Sequence, residues 1–195
     1  MTMKLTAAAL VAASTFGIAS AQTTGSEVQR NLNQQNRIEQ GLQSGQLSTG
    51  EAAKLEKGEA RIEHMESKAN RDGTLTDAEK AKIQKAQNAQ SREISRLKGN
   101  AVTGNPASAS SKRMQADVQR NANQQARIER GVQSGALTTR EAAKLERGQS
   151  HVDAATASAG ANGHVSAREQ ARIQSKENNQ SKRIHKQKHD AQTQG

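Results

Sequence analysis

The sequence has no cysteine, no tryptophan and no tyrosine, and it has only one phenylalanine and one proline. Without cysteine the chain has no disulfide to staple a small exported domain, no thiolate nucleophile or metal ligand, and no residue for a lipid anchor on cysteine. The one aromatic residue, Phe16, sits near the N-terminus. The rest of the chain therefore offers no Phe, Tyr or Trp ring for stacking on a nucleobase. Large aliphatic residues are scarce as well. From Gln22 onward, Leu, Ile, Val and Phe total 21 of 174 positions, about 12%, below the ~20% at which disorder becomes the default expectation. Composition alone predicts a thin core.

What is present is pattern. Lys4 precedes an apolar stretch over 7–18, and Ala19-Ser20-Ala21 supplies small residues ahead of Gln22. A basic start, a short apolar run and an A-x-A site predict a secretory signal peptide over 1–21, cleaved after Ala21. The run falls short of the ~20 residues needed to span a bilayer. The signal looks bacterial, which implies a periplasmic or secreted protein with no transmembrane segment after cleavage. The remaining chain carries 28 basic and 19 acidic residues, a net charge of +9.

The chain is also an internal duplication. Residues 28–101 align with 118–191 at a constant offset of 90 without a gap, with 35 identities in 74 positions. Between the copies, 99–113 is rich in small residues and holds Pro106, so it predicts a flexible linker. The expected organisation is a first module over 22–98, a second over 114–191, and a short tail over 192–195.

Each copy contains a smaller repeat of the form Gly-x-Leu/Val-Ser/Thr-x-x-Glu. It begins at Gly45, Gly73, Gly135 and Gly163. Ser48, Thr76, Thr138 and Ser166, each three residues before Glu51, Glu79, Glu141 and Glu169, form capping boxes. In these the hydroxyl accepts the N3 backbone N–H and the glutamate reaches back to the N-cap N–H. The glycine suits a left-handed position ending the previous helix. The prediction is an all-α protein with three helices per module, over about 26–43, 48–70, 76–98, 115–133, 138–158 and 166–188. Narrow apolar stripes such as Ile83, Ala86, Gln90, Ile94 and Leu97 suggest loosely packed three-helix modules with marginal cores. The run 154–163 has no large apolar residue, which predicts a weaker second module.

The string Asn70-Arg71-Asp72-Gly73-Thr74-Leu75-Thr76-Asp77-Ala78-Glu79 resembles the latter part of an EF-hand loop. That resemblance implies Ca²⁺ held by oxygen ligands, with Lys68 at position one, Asn70 at three, Asp72 at five and Glu79 at twelve. Asp72 and Glu79 are the candidate ligands. Lys68 stands where the first carboxylate belongs, and Gln40, Arg130 and Ser158 take that place in the other three loops. Capping alone accounts for the glutamates. The whole repeat is similar to uncharacterised exported proteobacterial helical-repeat proteins with these degenerate GxLTxxE turns, a resemblance that implies no activity and no cofactor.

Two further clusters can bind something. His185 and His189 lie four residues apart on a predicted helix, a spacing that lets two imidazoles face one metal; the first copy has Ser95 and Gly99 there. Around them Lys176, Lys182, Arg183, Lys186 and Lys188 make the densest basic run, which fits attraction to a polyanion. No cysteine nucleophile, G-x-S-x-G elbow, Walker loop or H-E-x-x-H is present, so an enzyme is not expected. Nor is sequence-specific nucleic-acid binding. The leading expectation is an exported structural or interaction protein with an unidentified protein or polyanionic envelope partner. The alternative is a cation-binding accessory protein that uses the loops or the terminal histidines.

Overall fold

A computed structural model describes residues 15–190, with side chains from residue 24. The start of the expected signal peptide and the tail lie outside the described residues. Six helices follow in order: α1 Thr15–Ser44, α2 Thr49–Ala69, α3 Asp77–Lys98, α4 Ala109–Gln133, α5 Thr139–Gly160 and α6 Ala167–Lys188, with a 3-10 turn at Asn70–Asp72. The described chain is all-α, with no strand among its elements. No helix among the described residues is long and apolar enough to cross a membrane.

The four capping boxes are present with both reciprocal bonds, at Ser48–Glu51, Thr76–Glu79, Thr138–Glu141 and Ser166–Glu169. The glycine before each has φ between +72° and +90°, the left-handed conformation that residues with a Cβ avoid. Satisfied N-termini and sharp left-handed stops set the boundaries of α2, α3, α5 and α6 within about two residues of those the sequence predicts, whereas α1 begins at Thr15 rather than near 26 and α4 at Ala109 rather than near 115.

The modules do not stand apart. α2 packs along α5 and α1 along α4, both between copies. Each pair runs antiparallel: the start of α2 approaches the turn after α5 at Gly163, and Arg140 at the start of α5 reaches Asp72 beyond the end of α2. Equivalent bonds are exchanged across the pairing. Gln35 of the first copy donates to Asp153 of the second (3.0 Å), while Gln125 donates to Glu63 (2.6 Å). The copies are thus related by an approximate twofold. Ser150 donates to the carbonyl of Ala60, its own counterpart, at 2.8 Å.

This arrangement corrects the expectation of two tethered modules with separate cores. One apolar cluster combines Ile38, Leu42, Leu47, Leu55, Ile94 and Leu97 with Met114 and Val118 of α4. The other combines Ile128, Val132, Leu137, Leu145 and Ile184 with Val28 of α1. Each copy thus lends a residue to the other's core, which offsets the scarcity of aliphatic residues. The connection between copies is shorter and better fixed than a flexible linker. Gly104 donates to the Gly45 carbonyl (2.8 Å), Asn100 donates to Glu51 (2.7 Å), and Ser108 caps α4 five residues before the expected boundary.

The aliphatic-poor stretch of α5 has a packing role. Ala157, Ala159 and Gly160 are buried. A Cβ on Gly160 would lie 2.9 Å from Ala53 Cβ and 3.3 Å from the Thr49 carbonyl oxygen. Small residues here let two backbones approach closely, and larger side chains would force the helices apart.

Candidate functional sites: a basic groove and a buried carboxylate seam

α6 buries only Ile173, Glu177, Gln180 and Ile184. Its remaining face carries the basic run: Lys176, Lys182, Arg183 and Lys186 are exposed, and Lys188 is half-buried. Burial, and then the neighbouring charges of Arg130 and Arg127, hold the Lys188 ammonium below its usual range. Between α4 and α6 lies an open groove of about 510 Å³ lined by Arg120, Arg127, Asn178, Ser181, Lys182 and His185. No carboxylate is among these residues.

Two guanidinium groups are fixed at the groove wall. Arg127 donates to Ser181 Oγ (2.6 Å) and to its carbonyl (3.2 Å). Arg120 donates to Asn178 and pairs at 3.2 Å with Glu177, whose side chain lies beneath the surface. Lys182 comes from the run singled out in the sequence. The two arginines come from a helix whose contribution is visible only in three dimensions. In the first copy Arg37 bonds both Ser91 and Ser95; the second copy places His185 where Ser95 stands.

The other sequence candidates are arranged for structure. Asp72 Oδ1 accepts Thr74 N–H and Oγ–H, both at 3.0 Å, and its carboxyl is held below the usual range by those bonds. The Asp72 carbonyl accepts Arg140 Nε and Nη2 at 3.0 and 2.7 Å, so a guanidinium sits at this loop. Glu79 Oε2 accepts from Thr76 N–H (3.0 Å) and Oγ–H (2.6 Å). The rings of His185 and His189 stack with centroids 4.3 Å apart, and His189 Nδ1 lies 2.8 Å from the His185 carbonyl. Among the described residues, no group of three His, Asp or Glu side chains is placed to hold a metal ion.

Sequence reasoning missed the centre of the molecule. Glu56, Glu59 and Glu63 of α2 have no exposed surface, and Glu66 almost none; Glu146 and Asp153 of α5 are equally enclosed. Amides bridge them. Gln35 Nε2 lies 3.5 Å from Glu56 and 3.0 Å from Asp153, while Gln125 Nε2 lies 2.6 Å from Glu63 and 3.2 Å from Glu146. Gln87 and Asn31 donate to Glu66 at 2.9 and 2.6 Å, and Gln90 donates to Glu59 at 2.9 Å. Burial pushes all six carboxyls up, Asp153 to about 7 and Glu146 to about 8. Near the rim burial raises Glu27 and its counterpart Asp117 to about 7, and Glu177 to about 8.

A signal for this seam is readable in retrospect. Glu56, Glu59, Glu63 and Glu66 form one helical stripe, while Lys54, Lys57, Arg61, His64 and Lys68 form another. Acids thus segregated from bases at i±4 lack the partners that a solvated face provides. No family model matches this chain, and no curated protein or solved structure matches it.

Proposed function

We propose that this is an exported, non-enzymatic interaction protein that takes a polyanionic envelope component along its basic α6 face. The observation that carries this reading is the α4–α6 groove. Arg120, Arg127, Lys182 and His185 line it without a carboxylate, and Lys176, Arg183 and Lys186 extend positive charge along the same helix. Pre-positioned guanidinium groups suit phosphate or sulfate oxygens through paired N–H donors. The buried carboxyls do not argue for catalysis, because side chains without exposed surface reach no substrate.

The test is titration of the chain from Gln22 onward with polyphosphate and with lipopolysaccharide by calorimetry at low and high salt. Binding that weakens with salt and is lost in an Arg127→Gln/Lys182→Gln variant supports the groove. Binding unaffected by that pair, or none, rejects it. Intact mass of the secreted protein tests export: cleavage leaves Gln22 first, and retention of 1–21 overturns the localisation.

A further inference from the structure

We propose that the joint between the two repeat copies is a proton-gated closure. The carboxyl groups that α2 and α5 bring face to face hold the copies together while they share protons, and the bundle opens along this joint when the protons leave.

The geometry begins with the inventory of groups that meet there. α2 supplies Glu56, Glu59, Glu63 and Glu66, and α5 supplies Glu146 and Asp153 with Gln149 and Thr156 beside them. α1 brings Asn31 and Gln35, α4 brings Asn121 and Gln125, and α3 brings Gln87 and Gln90, all of them neutral. Glu27 of α1, bonded by Asn70, Asp117 of α4 and Glu177 of α6 stand at the margins. Arg37 acts on the central Glu59, while Lys80 acts on Glu27, and Arg120 on Glu177 and Asp117, at the margins. The groups acting most strongly on Glu56, Glu63, Glu66, Glu146 and Asp153 are other carboxyls and amides, with no cation among them.

A second observation identifies what this interior lacks. Among the described residues, every buried side-chain polar atom without a partner is an oxygen. They include Glu56 Oε1, Glu59 Oε2, Glu63 Oε2 and Glu146 Oε1, together with the amide oxygens of Gln35, Gln125, Gln149 and Asn121. A carboxylate only accepts hydrogen bonds, whereas a carboxylic acid also donates one. Protons on some of these groups turn unpaired acceptors into donors and cancel charges that have no counterion. Glu63 and Asp153 are close enough to act on each other: after burial, the Asp153 charge is the largest influence raising the Glu63 carboxyl. Because no three carboxyls among the described residues converge as metal ligands, protons fit the arrangement better than an ion does.

The direction of the pH effect follows. A carboxyl raised in the folded state is protonated more readily there than in the unfolded chain, so folding takes up protons. The resulting stability is complete below the ordinary values, 4.5 for a Glu and 3.8 for an Asp. It is lost as pH rises through the folded values, about 7 for Asp153 and about 8 for Glu146. This is the reverse of acid denaturation. Each such proton changes the folding equilibrium constant by up to about tenfold per pH unit.

The experiment follows thermal melting by circular dichroism, and radius of gyration by X-ray scattering, for the chain from Gln22 onward between pH 5 and 9.5. Melting temperature should fall and the particle should expand between pH 6 and 9. A Glu63→Gln/Asp153→Asn variant should flatten both curves. Should that variant fail to fold, Glu146→Gln alone should reduce the slope by about one proton's worth. A melting temperature that is constant or rises from pH 5 to 8.5 overturns the proposal, as does an undiminished slope in the folded variants. Recovery of the compact form at pH 8.5 by calcium, lost in the double variant, also overturns it in favour of a buried cation site.

Discussion

Glu63 and Asp153 occupy the same position of the two repeat copies, 90 residues apart, and both carboxyls are fully buried where the copies face each other, Asp153 helping to raise Glu63. Each also accepts from the other copy's glutamine, Gln125 at 2.6 Å and Gln35 at 3.0 Å. A buried acidic pair of this kind carries a cost in stability, because both groups are desolvated and their charges repel. Replacing both members by apolar side chains, Glu63→Met with Asp153→Leu, should therefore stabilise the fold by about 1–4 kcal/mol at pH 8. Gln35 and Gln125 keep Glu56 and Glu146 as acceptors, which limits the penalty of the exchange. Urea unfolding at pH 8 measures the gain, and a loss of stability would mean that the pair contributes more than it costs.

Gly160 of α5 packs directly against α2. A β-branched side chain there meets Ala53 and the Thr49 carbonyl rather than solvent. Gly160→Val should cost about 1–3 kcal/mol by overpacking, against the smaller gain from removing glycine near a helix end. Gly135→Ala is the contrasting control. Nothing crowds it, but its φ of +72° makes it a purely conformational loss. Chemical denaturation of both variants separates steric from backbone effects.

The cores are shared, so the halves should not fold alone. Residues 22–108 lack the Met114 and Val118 that complete the first apolar cluster, and residues 109–195 lack the Val28 of the second. Alone, each half exposes its long inter-copy faces and lacks the buried area a chain of that size needs. We expect weak helical circular dichroism from either fragment and recovery of the signal on equimolar mixing. Two independently folded fragments would restore the picture of tethered modules.

The parts of this architecture legible from sequence are those encoded locally. Gly45, Ser48 and Glu51 sit within one turn of each other, and their chemistry dictates a stop, a cap and a new helix wherever the helix then goes. The pairing of α2 with α5 is not local. It depends on small residues such as Ala53 and Gly160, which by composition read as weakness, and on Glu56, Glu59, Glu63 and Glu66, which by polarity read as a wet face. The cost of burying those carboxyls falls when they are protonated, and that state has no letter in a sequence. The basic groove was half-visible for a similar reason. Lys182 and His185 stand in one run, whereas Arg120 and Arg127 come from another helix.

The capping boxes give a graded prediction. Thr138 and Glu141 are more enclosed than Thr76 and Glu79, with Glu141 at 2% exposure. Removing either hydroxyl leaves an N-terminal N–H without its partner, at about 1 kcal/mol. At Thr138 water replaces it less readily. Thr138→Ala should therefore lower the melting temperature more than Thr76→Ala. Equal losses would mean that exposure does not govern the cap.

Calcium addresses the EF-hand resemblance directly. Loops of that family gather several carboxylates around one ion. Here the Asp72 carboxylate is turned onto Thr74, Glu79 onto Thr76, and Arg140 occupies the Asp72 carbonyl with a charge of the wrong sign for a cation to join. Calcium at about 1 mM, where weak extracellular sites fill, should leave helicity and melting temperature unchanged at pH 6, below the folded values of Asp153 and Glu146. Glu79→Gln should behave as a mild capping change, since an amide oxygen still accepts from the Thr76 N–H. Arg140→Ala provides the sharper comparison, because it removes the competing guanidinium while leaving Asp72 and Glu79 in place. If calcium raises the melting temperature by several degrees in the parent protein, and Glu79→Gln abolishes the rise, the loop is a metal site and capping is its secondary role. If only Arg140→Ala responds, the resemblance reflects a loop whose cation position the second repeat copy has filled.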